Sequence, residues 1–307
     1  MSSAAAGPSL RRFARERPIT LFLLIVFGLG YPLMFVPILA HWGAEPLGTL
    51  PGGLELNTEV IASLALVLLV LLPAPLIVTG LEGGRPAMAA LWRRATQWRF
   101  GLGWWALVLA ALPLGTVLLA LALGDTFRPP SLTGLADEFV AIVVALVLIQ
   151  IIEETAWAGF LQTRLERRHG FYLAALLTAI PFAAIHMPLQ VIYQGFDPRG
   201  MATTFGMLTA FAFVFRAYLG LVLRGAGNSV LAVALAHTMF NRSNNPGGIA
   251  ADLLDGSHRV GAVLIMNVAL VLVLGVALRK RTSRAERARL DAATDDPAGP
   301  MGTGAAL

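Results

Sequence analysis

Five polar side chains lie where the surrounding sequence is apolar: Glu153, Glu154, His186, His237 and Asn241. These residue types supply a general base, two imidazoles able to donate, accept or ligate, and an amide donor. A water held by a Glu and a His could attack a carbonyl carbon, with His237 and Asn241 receiving the developing oxyanion. Their spacing is helical. Phe182 and His186 are i,i+4 neighbours, as are His237 and Asn241, so each pair presents together. Adjacent helical residues differ by ~100°, so the two glutamates address different neighbours. Glu153 shares a face with Trp157, and Glu154 shares one with Ala158. Each piece alone has a plainer reading. A lone His is often a packing residue, the His237–Asn241 pair also suits helix–helix hydrogen bonding, and the glutamates would be ordinary if their helix left the membrane early. The apolar Gly159, Phe160 and Leu161 oppose that last reading, and the set of five carries more weight than any member. His41, His169 and His258 lie near the ends of apolar runs and read as surface residues.

The elements that must position these side chains are membrane spans. The chain has 307 residues, 57% hydrophobic and only 13% charged, where a soluble domain carries about a quarter charged residues. An all-α, polytopic transmembrane bundle in a multi-pass integral membrane protein is expected, with lipid as its first partner. A helix needs ~20 apolar residues to cross the hydrocarbon core. Eight runs qualify as candidates: 18–40, 59–81, 102–124, 139–162, 171–190, 201–224, 229–243 and 259–278. The seventh is short and polar at its end, so it either hides in the bundle or stops partway. Pro32, Pro37, Pro73, Pro75, Pro113 and Pro181 fall inside spans, where packed neighbours can satisfy the freed carbonyls. An ionisable group at bilayer depth costs ~3 kcal/mol or more, and Glu154 precedes the first arginine of its span's exit, Arg164, by roughly 15 Å of helix. That cost makes the five residues the natural candidates for function.

Charge sets the expected orientation. With the N-terminus inside, the inner segments hold 18 of the 23 basic residues and the outer loops only Arg128, Arg199, Arg242 and Arg259, with Arg216 within a span. This is the positive-inside pattern for an N-in, C-in chain. It also explains the high pI without nucleic acid, which is not an expected partner. The expected organisation is a basic tail (1–17), a first group of spans (18–138) with an amphipathic interfacial helix near 86–101, a core (139–246), a last span (247–280) and a disordered tail (281–307). There are no cysteines, which removes thiolate chemistry and Cys-ligated zinc.

At the five residues the sequence resembles the CPBP family of CAAX prenyl proteases and bacteriocin-processing (Abi) and immunity proteins. The family's motifs, Glu-Glu-x-x-x-Arg, Phe-x-x-x-His and His-x-x-x-Asn, are matched in order by Glu153-Glu154-Thr155-Ala156-Trp157-Ala158, by Phe182 to His186 and by His237 to Asn241. The resemblance covers residues 139–246. It implies an intramembrane endopeptidase acting on a membrane-associated or prenylated peptide or protein substrate. By that analogy Glu153 activates water with help from His186, and His237 and Asn241 form the oxyanion hole. No cofactor is required by these residues. Two His and a Glu could ligate zinc, and both metal and metal-free glutamate mechanisms belong to what the resemblance implies, but the zincin pattern His-Glu-x-x-His is missing. One position departs: the motif arginine is Ala158, so Glu154 lacks its local counter-ion. Arg216, deep in the sixth span, is the candidate replacement. Two other functions fit the same residues: a non-catalytic homologue that binds a partner or confers immunity, and a proton-linked transporter, although no inverted repeat is visible.

Overall fold

The computed structural model describes residues 7–51 and 54–294. It is a bundle of helices: α1 (Gly7–Glu16), α2 (Pro18–Leu39), α3 (Thr58–Thr96), α4 (Leu102–Ala122), α5 (Leu132–His169), α6 (Phe171–Ile185), α7 (Met187–Gln194), α8 (Pro198–Gly225), α9 (Val230–Asn244), the short α10 (Ile249–Leu253) and α11 (Arg259–Thr294). Two antiparallel two-residue ribbons, Thr49–Leu50 with Leu54–Glu55 and Thr126–Phe127 with Leu254–Asp255, close loops on one face of the bundle.

Six helices, α2, α3, α4, α5, α8 and α11, are long and apolar enough to cross a membrane, and α6 with α7 makes a seventh as a pair bent by 45°. The eight expected spans are thus six or seven by this measure. The difference is α9, whose 15 residues reach about 22 Å, short of the ~30 Å hydrocarbon core. It is instead the buried centre of the bundle. α3, α4, α5, α8 and α11 all pack on it, and Val230, Val233, Leu235, Ala236 and Phe240 are buried on it. Its first half, Val230–Ala236, is apolar on every side and must be enclosed on every side. The outward faces of the other helices carry Leu24, Ile77, Leu118, Val147 and Leu272, all exposed and suited to lipid.

Elsewhere the boundaries shift for local reasons. Gly84 breaks α3 with φ 63° and ψ −156°, a conformation open to glycine and strained for other residues. The stretch after it, expected as an interfacial helix over 86–101, is helical to Thr96, with Leu91 and Ala95 buried and Trp92 exposed. The N-terminal segment contains the helix α1, packed on α2 and α3. At the other end α11 continues to Thr294, so residues 281–294 are helical rather than a disordered tail. Residues 1–6 and 295–307 of the two expected tails lie outside the described residues.

Candidate active site

The two glutamates sit at the middle of α5, between two wide π-helical turns, Leu146–Gln150 and Thr155–Gln162. Such turns leave carbonyls without their usual partners and occur often at functional sites. Here side chains take up the freed groups. Thr163 Oγ1 donates to the Ala158 carbonyl (2.7 Å), and Arg94 Nη1 donates to the Gly159 carbonyl (2.9 Å).

Glu154 is completely buried and faces α8 and α9. Arg216 of α8 grips it from the side in a bidentate pair, Nη1–Oε1 2.8 Å and Nη2–Oε2 3.0 Å. Arg216 is itself completely buried. Its Nε donates to Gln162 Oε1, and Gln162 Nε2 returns a bond to the Arg216 carbonyl, both 3.1 Å. His237 of α9 completes the set, its Nδ1 2.8 Å from Glu154 Oε1. Arg216, the expected replacement for the missing motif arginine, thus reaches Glu154 from another helix. A carboxylate oxygen only accepts, so His237 donates to it from Nδ1, and the ring lines the cavity beside it.

His186 occupies the bend between α6 and α7. There its main-chain N–H turns to the Ala183 carbonyl (3.1 Å), and the Phe182 carbonyl accepts instead from His186 Nδ1 at 2.6 Å. Pro188, two residues on, has no N–H to offer the Ala184 carbonyl. Tyr31 of α2 fills that gap, its hydroxyl donating to Ala184 at 2.7 Å. The bend, the proline and the tyrosine together hold the imidazole with Nδ1 engaged and Nε2 open.

Glu153, His186, His237 and Asn241 line a single cavity of about 440 Å³. Glu154 does not line it. Glu153 Oε2 lies 3.9 Å from His237 Nδ1, so both glutamates flank the same imidazole, one from the cavity and one from behind. The walls are aromatic: Phe182 lies against His186 (4.7 Å between centroids) and Phe215 stands edge-on to His237 (4.9 Å). Trp157 stacks edge-on to Phe182 (5.6 Å) behind this wall. Four of the five expected residues thus share a space, and the fifth supports one of the four. Gln162 and Tyr31 were not singled out from sequence. Gln162 carries a visible signal, a polar residue inside an apolar run, whereas Tyr31 does not, because its role depends on a bend in another helix.

Among the described residues no three His, Cys, Asp or Glu side chains gather closely enough to hold a metal ion.

A polytopic helical bundle with an acid–base cluster buried at its centre is the class of membrane protein that this fold and site define. Residues 135–243, which hold all five residues, match the family model of type II CAAX prenyl endopeptidases, Rce1-like. No curated protein matches the chain in sequence.

Proposed function

We propose that the protein hydrolyses a peptide bond of a membrane-associated substrate inside this cavity, with Glu153 as the general base. The observation that carries the reading is the shared cavity: a carboxylate, two imidazoles with free Nε2 atoms and an amide face the same space, and the remaining carboxylate is reserved by Arg216.

The chemistry follows from the hydrogen bonds. A water between Glu153 and His186 Nε2 gives its proton to Glu153 as its oxygen attacks the scissile carbonyl. The charge that develops on the carbonyl oxygen is met by the Asn241 amide and by His237. To donate from Nε2 while Nδ1 is held by Glu154, His237 must carry both protons. With Arg216 and His237 positive and Glu153 and Glu154 negative, the buried set then sums to zero, which a low-dielectric site requires. Glu153 next passes its proton to the leaving amine, and the new carboxyl and amine depart. Glu154, Arg216 and Gln162 position His237 and touch no substrate.

The test is cleavage of a peptide library by purified protein in detergent. Glu153→Ala and His186→Ala should each lower turnover by about 10²–10⁴-fold while leaving the helical content and melting transition intact. Wild-type turnover in either variant would refute the mechanism. Variants that keep a cellular phenotype without cleavage would favour the partner-binding reading, and solute-driven proton uptake in liposomes would favour the transporter.

A further inference from the structure

The cavity has a direction. Its mouth is formed where α3 begins (Glu59), where α7 ends (Gln190, Tyr193) and where α9 ends (Asn244, Asn245). These ends lie on the same face as the starts of α5, α8 and α11 and the ribbon of Thr126–Phe127 with Leu254–Asp255. The arginine-rich ends lie on the opposite face: Arg93 and Arg94 on α3, Arg164, Arg167 and Arg168 on α5, and Arg224 on α8. Of the four arginines on the mouth's face, two are drawn inward. Arg242 pairs with the buried Glu138, and Arg259 donates to the Ser243 carbonyl at 2.9 Å. Basic residues stay on the cytoplasmic side of a membrane protein, and by that rule the mouth faces away from the cytoplasm.

The chemistry of the mouth adds a second constraint. Among the described residues no Lys or Arg lines the cavity, and the one charged group at the rim is Glu59, which accepts a hydrogen bond from Tyr193. A free chain carboxylate would meet a like charge there with no cation to receive it. The amides of Gln190, Asn244 and Asn245 supply donors and acceptors suited to the backbone of an extended segment.

We propose that the substrate is an internal, neutral or cationic peptide segment presented from the extracytoplasmic face of the membrane, not a chain terminus delivered from the cytoplasm. This rests on the endopeptidase reading for its chemistry, but not for its direction.

The chain has no cysteine, so single cysteines report direction cleanly. In intact cells producing the full chain, a membrane-impermeant maleimide should label Asn245→Cys at least tenfold faster than Arg85→Cys, and Arg85→Cys should label only after permeabilisation. Gln194→Cys, exposed at the end of α7, repeats the first arm if Asn245→Cys does not accumulate. The reverse pattern, or equal labelling of both faces, overturns the proposal. In proteoliposomes sorted by the same label, quenched fluorescent apolar peptides with amidated ends should be cleaved only when added on the Asn245 side, and cleavage only from the Arg85 side also overturns it. If the wild type cleaves none of these peptides in detergent, where both faces are open, the endopeptidase reading fails. The maleimide result still decides the direction of the cavity.

Discussion

Arg216→Met removes the guanidinium that pairs with Glu154. The lost contacts are two bonds to the carboxylate at 2.8 and 3.0 Å and one to Gln162 at 3.1 Å, all between buried groups. What remains for Glu154 is the single bond from His237 Nδ1 at 2.8 Å. Breaking a buried pair by deleting one partner costs about 3–5 kcal/mol, chiefly because the survivor is left charged and uncompensated. Glu154→Gln leaves Arg216 in the same position and should cost a similar amount. If the costs were independent, the double variant would lose about 6–10 kcal/mol, comparable to the whole stability of a typical domain. If the two groups act as a pair, the double variant carries no orphan charge and loses little more than either single one. The coupling should then approach the cost of one single variant, about 3–5 kcal/mol. Arg216→Lys keeps the charge but not the two-pronged geometry, and should fall between wild type and Arg216→Met.

Reversible unfolding in mixed detergent micelles, followed by tryptophan fluorescence and circular dichroism, measures all four corners of the cycle. Additivity within about 0.5 kcal/mol would show that Arg216 is not the counter-ion of Glu154, and the positioning of His237 would need another explanation. A lower turnover in Arg216→Lys at unchanged substrate affinity would add that the pair acts through His237 rather than through stability alone.

Two further perturbations test separate parts of the molecule. Asn241→Ala should lower kcat by about 10²–10³-fold with little change in KM, because the amide acts on charge that exists only in the transition state; a change confined to KM would assign Asn241 to substrate binding. Asp125, in the loop after α4, accepts from the His258 ring (2.7 Å) and main chain (3.2 Å) at the start of α11. Burial raises the Asp125 carboxyl, but the His258 bonds outweigh it and hold the group below the ordinary carboxylate value. Its folded value is thus below its unfolded value of about 4. The stability it contributes is present above that pH and lost as pH falls through the folded value. Asp125→Asn should lower the melting temperature at neutral pH, and the gap to wild type should close below about pH 4. A gap that persists in acid would mean that the ionised carboxylate is not what stabilises the loop.

The sequence reveals the site better than it reveals the helices that build it. Charged and amide groups within apolar runs are few, and each must be accounted for at bilayer depth, so Glu153, Glu154, His186, His237 and Asn241 stand out from composition alone. Their convergence on three helices is also legible, since i,i+4 spacing fixes which groups share a face. The wide turns around the glutamates are not legible. They depend on whether a Thr163 hydroxyl or an Arg94 guanidinium arrives to satisfy a carbonyl, and such arrivals are tertiary events. The same holds for the bend at His186, where Pro188 is visible but Tyr31 is not. The sequence of α9 leaves its status as a span open for a physical reason. Its first half, Val230–Ala236, is apolar on every side and signals burial, and neither its length nor its pattern says whether lipid or protein does the burying.

The substitution at Ala158 joins these two levels. A motif arginine one turn beyond Glu154 presumes regular α-helical spacing, which would bring residues 154 and 158 together. From Thr155 the helix is wider, and at five residues per hydrogen-bonded step the i,i+4 relation no longer holds. Ala158 is also completely buried, so a guanidinium there would have to displace packed side chains. Supplying the charge from α8 removes both difficulties, since Arg216 approaches Glu154 along the plane of its carboxylate and Gln162, at the far end of the wide turns, receives the third donor. The exchange turns a contact within one helix into a clamp between α5 and α8. The imidazole of His237 is thereby oriented by two helices at once, so a slip of either should change turnover before it changes the fold.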